Sequence, residues 1–320
     1  MSAMKLSINE ADKLEVLTLQ DNYIDLVSGD SSEILKRALP LKGSELRNSI
    51  LAEHGFSALV TLFKGETSRQ VLFDFGFSEH GTAFNVAALN VNLSKVETLV
   101  LSHGHIDHLG GLKQLLERVG RKGIELVLHP AAFRHPRYIK LAGQLRVNFP
   151  PFTRESVQEM EVVPVEKKEP HLLLDGLLLF LGEIPRTSDF EKGMPNAYYE
   201  ENGEAKHDPI EDDTAIVANV KGKGLVILSG CAHSGIINTV QYARQVTGIE
   251  EVFVVMGGFH LTGPDYVSII KPTTDALRDI GPRYVVPTHC TGRNATMHIE
   301  KEMSDQFLLN MVGTKLTFSA

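Results

Sequence analysis

Residues 98–112, Thr-Leu-Val-Leu-Ser-His-Gly-His-Ile-Asp-His-Leu-Gly-Gly-Leu, constrain this chain more than any other stretch of it. The apolar run Thr98–Leu101 reads as a buried strand, and it empties into a turn that carries His103, His105, Asp107 and His108. A helix follows, opened by Gly110 and Gly111. Imidazole nitrogen and carboxylate oxygen are the ligand types of zinc and comparable divalent ions. Set against apolar strand ends with no metal, so many polar groups would leave several unsatisfied. A solvated histidine-rich turn would account for neither Gly104 nor the Gly-Gly pair, which are expected to let the backbone curl so that side chains two apart converge. The segment therefore predicts a metal centre on a strand-to-helix turn.

The rest of the chain supplies the elements that could carry such a turn. Short apolar runs bounded by Gly, Pro, Asn or Asp predict strands at 58–63, 70–75, 98–101, 124–128, 177–181, 214–220, 225–229, 252–256 and 284–286. Helical periodicity is present at 109–119, 236–246, 266–280 and 295–303, with Pro272 expected to kink or split the third. Hairpin-like strands early and strand–helix alternation later predict a layered α/β sandwich. The chain is expected to form one domain over 1–320, with a polar, Gly/Pro-punctuated surface loop or lid at about 185–213.

Composition narrows the function classes. With 320 residues, 42% of them hydrophobic, the chain can bury a large core. A formal charge of −8 and no Lys/Arg run longer than a pair argue against nucleic acid or an anionic membrane as partner. A small-molecule ligand is the expectation instead. Two cysteines, Cys231 and Cys290, give no disulfide framework and fit a reducing compartment. The opening residues contain no apolar stretch long enough for a signal peptide or a membrane span, so the expected location is cytoplasmic.

His-x-His-x-Asp-His after a strand resembles the signature of the metallo-β-lactamase superfamily. The resemblance implies a four-layer αβ/βα sandwich and two divalent metal ions, zinc first, with iron and manganese as alternatives. It places His103 and His105 at one metal and Asp107 and His108 at the other. Asp74, in Leu-Phe-Asp-Phe-Gly, matches an earlier motif whose carboxylate holds the histidine loop; by itself it would pass for an ordinary turn residue. Where the superfamily usually has a His-Thr-Pro-Gly-like turn, this chain reads Leu181-Gly-Glu-Ile-Pro-Arg186, without histidine. Cys231 stands where an aspartate usually bridges the metals, as a ligand or as a small buried hydrophobe. His233 could supply the missing first-site ligand, and His289 matches the last motif histidine, at the second site.

Glu53-His-Gly-Phe-Ser57, Gly182-Glu-Ile-Pro-Arg186, Asp212-Asp-Thr-Ala215, Ser229-Gly-Cys-Ala-His-Ser-Gly235, Gly257-Gly-Phe-His-Leu261 and Thr288-His-Cys-Thr-Gly292 together resemble the branch named for 7,8-dihydropterin-6-methyl-4-(β-D-ribofuranosyl)aminobenzene 5′-phosphate synthase. The resemblance implies an enzyme, hydrolase-like or pterin-transferring, acting on an anionic or phosphorylated small molecule. Asp107 and His260 are the candidate catalytic residues. Arg186, Arg293 and His260 are the candidates for substrate binding, an Arg fork being suited to phosphate. For His260 a substrate contact, proton donation and metal ligation all stay open, and the two arginines could equally be solvated. Two rival classes remain. A diiron-type oxidoreductase would be expected to carry a flavodoxin-like partner segment, for which the sequence leaves no room after residue 290. A non-catalytic metal or ligand binder fits poorly with a complete histidine motif.

Overall fold

The computed structural model describes residues 5–46 and 48–320. Two large sheets carry the architecture. The first has eight strands in the order 163–166, 125–128, 96–100, 67–73, 57–64, 13–20, 314–319 and 35–37. The second places strands 171–173, 178–180, 215–220, 224–229, 252–258 and 284–288 side by side, with 10–11 running beside 215–220. Strand Lys13–Gln20 alternates buried and half-buried residues, as a sheet with one partly open face requires. Ala215–Val220 and Gly224–Ser229 are buried throughout, because the second sheet is covered on both faces.

Three apolar clusters define four layers. Val16, Val60, Val100 and Val127 of the first sheet meet Leu178, Ile216, Val254 and Val286 of the second in the central core. On the outside of the first sheet, Leu72, Leu99 and Leu126 pack on Val86, Leu115 and Val157 of helices Gly81–Ala88, Leu112–Val119 and Arg154–Glu159. On the outside of the second, Val217, Ile227 and Val255 pack on Val240, Leu277 and Ile299 of helices Ile236–Thr247, Val267–Ile280 and Arg293–Glu302. This is the expected αβ/βα sandwich. Among the described residues no helix is long and apolar enough to cross a membrane.

The structure departs from the sequence expectations in three places. The helix expected over 109–119 is two pieces, a single turn Ile106–Leu109 and then Leu112–Val119, so Asp107 and His108 sit on a helical turn of their own. Helix Val267–Ile280 runs through Pro272 without a break. The polar stretch 185–213 is not all loop. Ala197–Glu201 and Glu204–His207 form a hairpin, paired further to Arg137–Lys140 and Arg146–Asn148 in a four-stranded sheet. Its turn, Asn202-Gly203, has φ of 54° and 82°, the doubly positive geometry of a tight hairpin turn that Asn-Gly favours.

Candidate metal centre

The site is assembled where strands of both sheets end. His103 follows strand Val96–Val100, Asp74 follows Thr67–Phe73, Cys231 and His233 follow Gly224–Ser229, His260 follows Val252–Gly258, and His289 follows Tyr284–Thr288. Strands 67–73 and 96–100 are parallel neighbours, as are 224–229, 252–258 and 284–288, so their carboxyl ends share one edge. Four of the residues that leave these strands have positive φ without being glycine: Asp74 at 57°, Ala232 at 52°, His260 at 46° and His289 at 43°. Such conformations cost about 1–3 kcal/mol each and persist only where surroundings impose them.

Two groups of side chains converge there with one donor atom each. His103, His105 and His233 form the first; Asp107, His108, Cys231 and His289 form the second. His103 Nε2 lies 3.2 Å from His233 Nε2, His108 Nε2 3.1 Å from Cys231 Sγ, and His289 Nε2 3.1 Å from Asp107 Oδ2. A tetrahedral ion with bonds near 2.05 Å sets neighbouring donors about 3.3 Å apart. The observed separations are of that order, and the N, O and S donor set would suit divalent transition ions. His260 meets Cys231 and His233 in a third, overlapping group.

The electrostatics favour the same occupants. Burial, then the charges of neighbouring histidines, pushes His103 and His233 well below the usual imidazole range. His105 falls to about 4 through burial and the nearby Arg137. All three present lone pairs at neutral pH. Burial works against the Asp107 carboxylate, yet His108 and His289 hold it ionised, well below its usual range. Burial also disfavours charge on His108, but Asp74 and Asp107 outweigh it and hold the imidazole up at about 9. A cation arriving at this position displaces that proton.

Supporting groups fix each ligand loop. Asp74 accepts from Ser102 N at 2.7 Å, Ser102 Oγ at 2.8 Å and His108 Nδ1 at 2.6 Å, turning Nε2 of His108 toward the centre. Gly104 is required by space, not by φ: a Cβ there would lie 2.3 Å from the Ala132 carbonyl, and one at Gly110 only 1.6 Å from that of Phe77. The expected backbone curl is therefore not the reason for these glycines, since φ at Gly110 is −59° and at Gly111 −86°.

Several supporting residues escaped the sequence analysis. Asp212 Oδ2 accepts from Gly104 N at 2.7 Å and is paired with the buried Arg137, which also meets Asp208. Asp21 Oδ1 accepts from His289 N at 2.8 Å, and Asn22 Oδ1 lies 3.2 Å from His289 Nδ1. Asp213 Oδ2 accepts from Ser234 N at 2.8 Å, steadying the loop of His233. Only Asp212 and Asp213 had a signal, as part of the phrase Asp212-Asp-Thr-Ala215, which carried the resemblance without assigning them a role.

The two arginines are not brought together. Arg186 Nη2 donates to the Pro209 carbonyl and its charge lies beside Asp213, so it braces the polar segment. Arg293 is exposed and lines a cavity with Asn22, His289 and Asn310. A second cavity is lined by His233 and His260.

Comparison with known proteins shows the family to which the chain belongs. The metallo-β-lactamase superfamily model matches residues 55–244, and the chain belongs to that superfamily. It is 29% identical over 312 residues, 95% of this chain and 96% of the relative, to 7,8-dihydropterin-6-methyl-4-(β-D-ribofuranosyl)-aminobenzene-5′-phosphate synthase of Methanocaldococcus jannaschii, an enzyme. An uncharacterised protein of the same organism is 31% identical over 82% of this chain and 92% of its own length. Among solved structures, a metal-dependent hydrolase of the β-lactamase superfamily superposes with a TM-score of 0.70 at 24% identity, covering 96% of this chain and all of the other; it bears on the fold alone.

Proposed function

We propose that this chain is a metal-dependent enzyme that activates an anionic, phosphorylated small molecule at two adjacent divalent ions, zinc first among them, in a group transfer of the kind the synthase's name describes. The observation that carries the proposal is the pair of donor groups, His103, His105 and His233 beside Asp107, His108, Cys231 and His289, with separations near 3.1–3.2 Å. Bound divalent ions supply Lewis acidity, which polarises a phosphoryl or leaving-group oxygen and acidifies water. The protein's own groups do the rest. Asp107, held ionised and partly accessible, can orient a proton-bearing nucleophile. His260, at the cavity wall, is placed to hold or release a proton. Arg293, in the cavity with His289, can grip a phosphate with its fork of donors. Arg186 donates through Nη2 to the Pro209 carbonyl, and its buried Nε, which has no partner, is the atom left for a substrate contact.

Hydrolysis is the second reading, because the same electrophilic activation serves water as nucleophile. The test supplies a dihydropterin pyrophosphate ester with and without an aminobenzene ribofuranoside 5′-phosphate and reads pyrophosphate release. Release that depends on the second substrate supports transfer; release without it supports hydrolysis. Activity that survives exhaustive chelation, in protein shown to hold no metal, overturns the metal-dependent reading altogether.

A further inference from the structure

Resting on the reading of the centre as catalytic, we infer that the cavity whose wall includes His233, His260 and Tyr266 is the binding site for an uncharged, flat heteroaromatic ring that carries hydrogen-bond donors and acceptors along one edge. The cavity measures about 270 Å³ and is bounded by Phe190, Phe259 and Tyr266 as well as the two histidines. That volume is just below the usual range of small-molecule pockets, roughly 300–1,000 Å³, so it suits one ring system and not a nucleotide. Its aromatic walls offer stacking and edge contacts to a flat ligand. The His260 ring is tilted against His233 at 4.2 Å between centroids and meets the Tyr266 ring edge-on at 4.9 Å.

Three buried polar atoms on these residues have no partner: Tyr266 Oη, His260 Nδ1 and His233 Nδ1. An unpaired buried polar atom is destabilising, and three on residues lining one cavity call for a ligand edge that satisfies them. A hydroxyl and two ring nitrogens can each donate or accept, which matches a heterocycle of mixed polarity. An anion is a poorer fit. Glu191, the buried carboxylate of the wall, is already committed to Ile237 N at 2.8 Å and Asn238 N at 2.9 Å, and Lys192 is exposed and donates to the Ser188 carbonyl. The arginine suited to phosphate, Arg293, lines the other cavity with His289. Each donor group thus borders its own cavity, His233 the aromatic one and His289 the one that holds Arg293, as a two-substrate transfer needs.

The experiment is calorimetric binding of 6-hydroxymethylpterin and, separately, of ribose 5-phosphate to metal-loaded protein, Tyr266→Phe and Arg293→Ala. Tyr266→Phe should weaken pterin binding about five- to tenfold, the worth of one hydrogen bond, and leave ribose 5-phosphate binding and metal content unchanged. Because it removes an unpaired hydroxyl, it should also leave Tm equal or higher, which a structural tyrosine would not. Arg293→Ala should show the reverse ligand preference. Metal-loaded protein that binds no pterin, or binds it equally in Tyr266→Phe, overturns the pocket. Protein that binds the pterin yet takes up no metal refutes the metal-dependent reading and leaves the pocket standing.

Discussion

Asn22 connects three parts of the centre through one amide. Its Oδ1 faces His289 Nδ1 at 3.2 Å, its Nδ2 donates to the His289 carbonyl at 3.1 Å, and the same Nδ2 lies 3.3 Å from His54 Nδ1. Removing such a partner of a ligand imidazole typically costs about 10- to 100-fold in metal affinity. Asn22→Ala should therefore weaken the ion held by Asp107, His108, Cys231 and His289 by that factor and spare the one held by His103, His105 and His233, as measured by titration against a competing chelator. Equal loss from both would make Asn22 a general structural residue. Cys231 offers a sharper optical test. Its thiol lies 3.1 Å from His108 Nε2, whereas Cys290 points its Sγ at the Cys231 carbonyl, 3.5 Å away. With Co²⁺ the wild-type protein and Cys290→Ser should both give a thiolate charge-transfer band, and Cys231→Ser should lack it, since a coordinated thiol is deprotonated. A band that survives in Cys231→Ser would reduce that residue to core packing. The histidines could be singled out from sequence because they crowd into one motif or stand at apolar strand ends. Asn22 could not, since its role depends on a fold that brings residue 22 against residue 289.

Elements with strong local periodicity were legible in the sequence; those whose partners are distant were not. Strands Gly224–Ser229 and Val252–Gly258 are apolar runs between breakers and were placed within two residues at each end. Lys13–Gln20, which pairs with Ser57–Lys64 on one side and Thr314–Ser319 on the other, mixes Lys, Glu, Thr and Gln with its apolar residues and was missed. The hairpin at 197–207 carried a usable signal in Asn202-Gly203, masked by the polar residues around it. Glu191, ahead of that hairpin, shows what the polar segment does. Its two oxygens take Ile237 N and Asn238 N at the start of helix Ile236–Thr247, and Gly235 leaves room for the carboxylate, which a Cβ would meet at 2.2 Å. The helix dipole favours a negative group at that end. Glu191→Ala leaves two buried N–H groups unpaired and should cost about 2 kcal/mol in urea unfolding. It should also loosen the loop of His233. A loss within about 0.5 kcal/mol would mean that water replaces the carboxylate there, and that the segment does not brace the helix.

At the scale of the whole molecule, the candidate ligands are divided between the two sheets. His103, His105, Asp107 and His108 leave the first sheet, whereas Cys231, His233 and His289 leave the second. The sheets are otherwise joined through an apolar core of Val, Leu, Ile and Phe, which is non-directional, and through a few hydrogen bonds near the site, among them Thr214 N to the Ser102 carbonyl, Gly104 N to Asp212 and His289 N to Asp21. Bound ions would therefore act as directional ties at one edge of the sandwich. An ion that binds the folded chain and not the unfolded one stabilises it by RT ln(1 + [L]/Kd), about 2.7 kcal/mol at a hundredfold excess over Kd. For a chain of 320 residues 1 kcal/mol corresponds to about 1.5 °C in Tm, so each ion should be worth roughly 4 °C. The sign is fixed: chelation lowers Tm, and restoring metal raises it in proportion to the logarithm of free ion concentration. Asp107→Ala, which strips one donor from the second group only, should lower Tm by part of the full chelation effect and leave the remainder sensitive to chelator. Hydrogen exchange should place the loosening at the strand ends near residues 103, 231 and 289 and leave the central core protected. A Tm that does not move when bound metal is shown to have been removed would mean that the apolar core and the direct hydrogen bonds hold the sheets in register, and that these seven side chains converge without tying the two halves together.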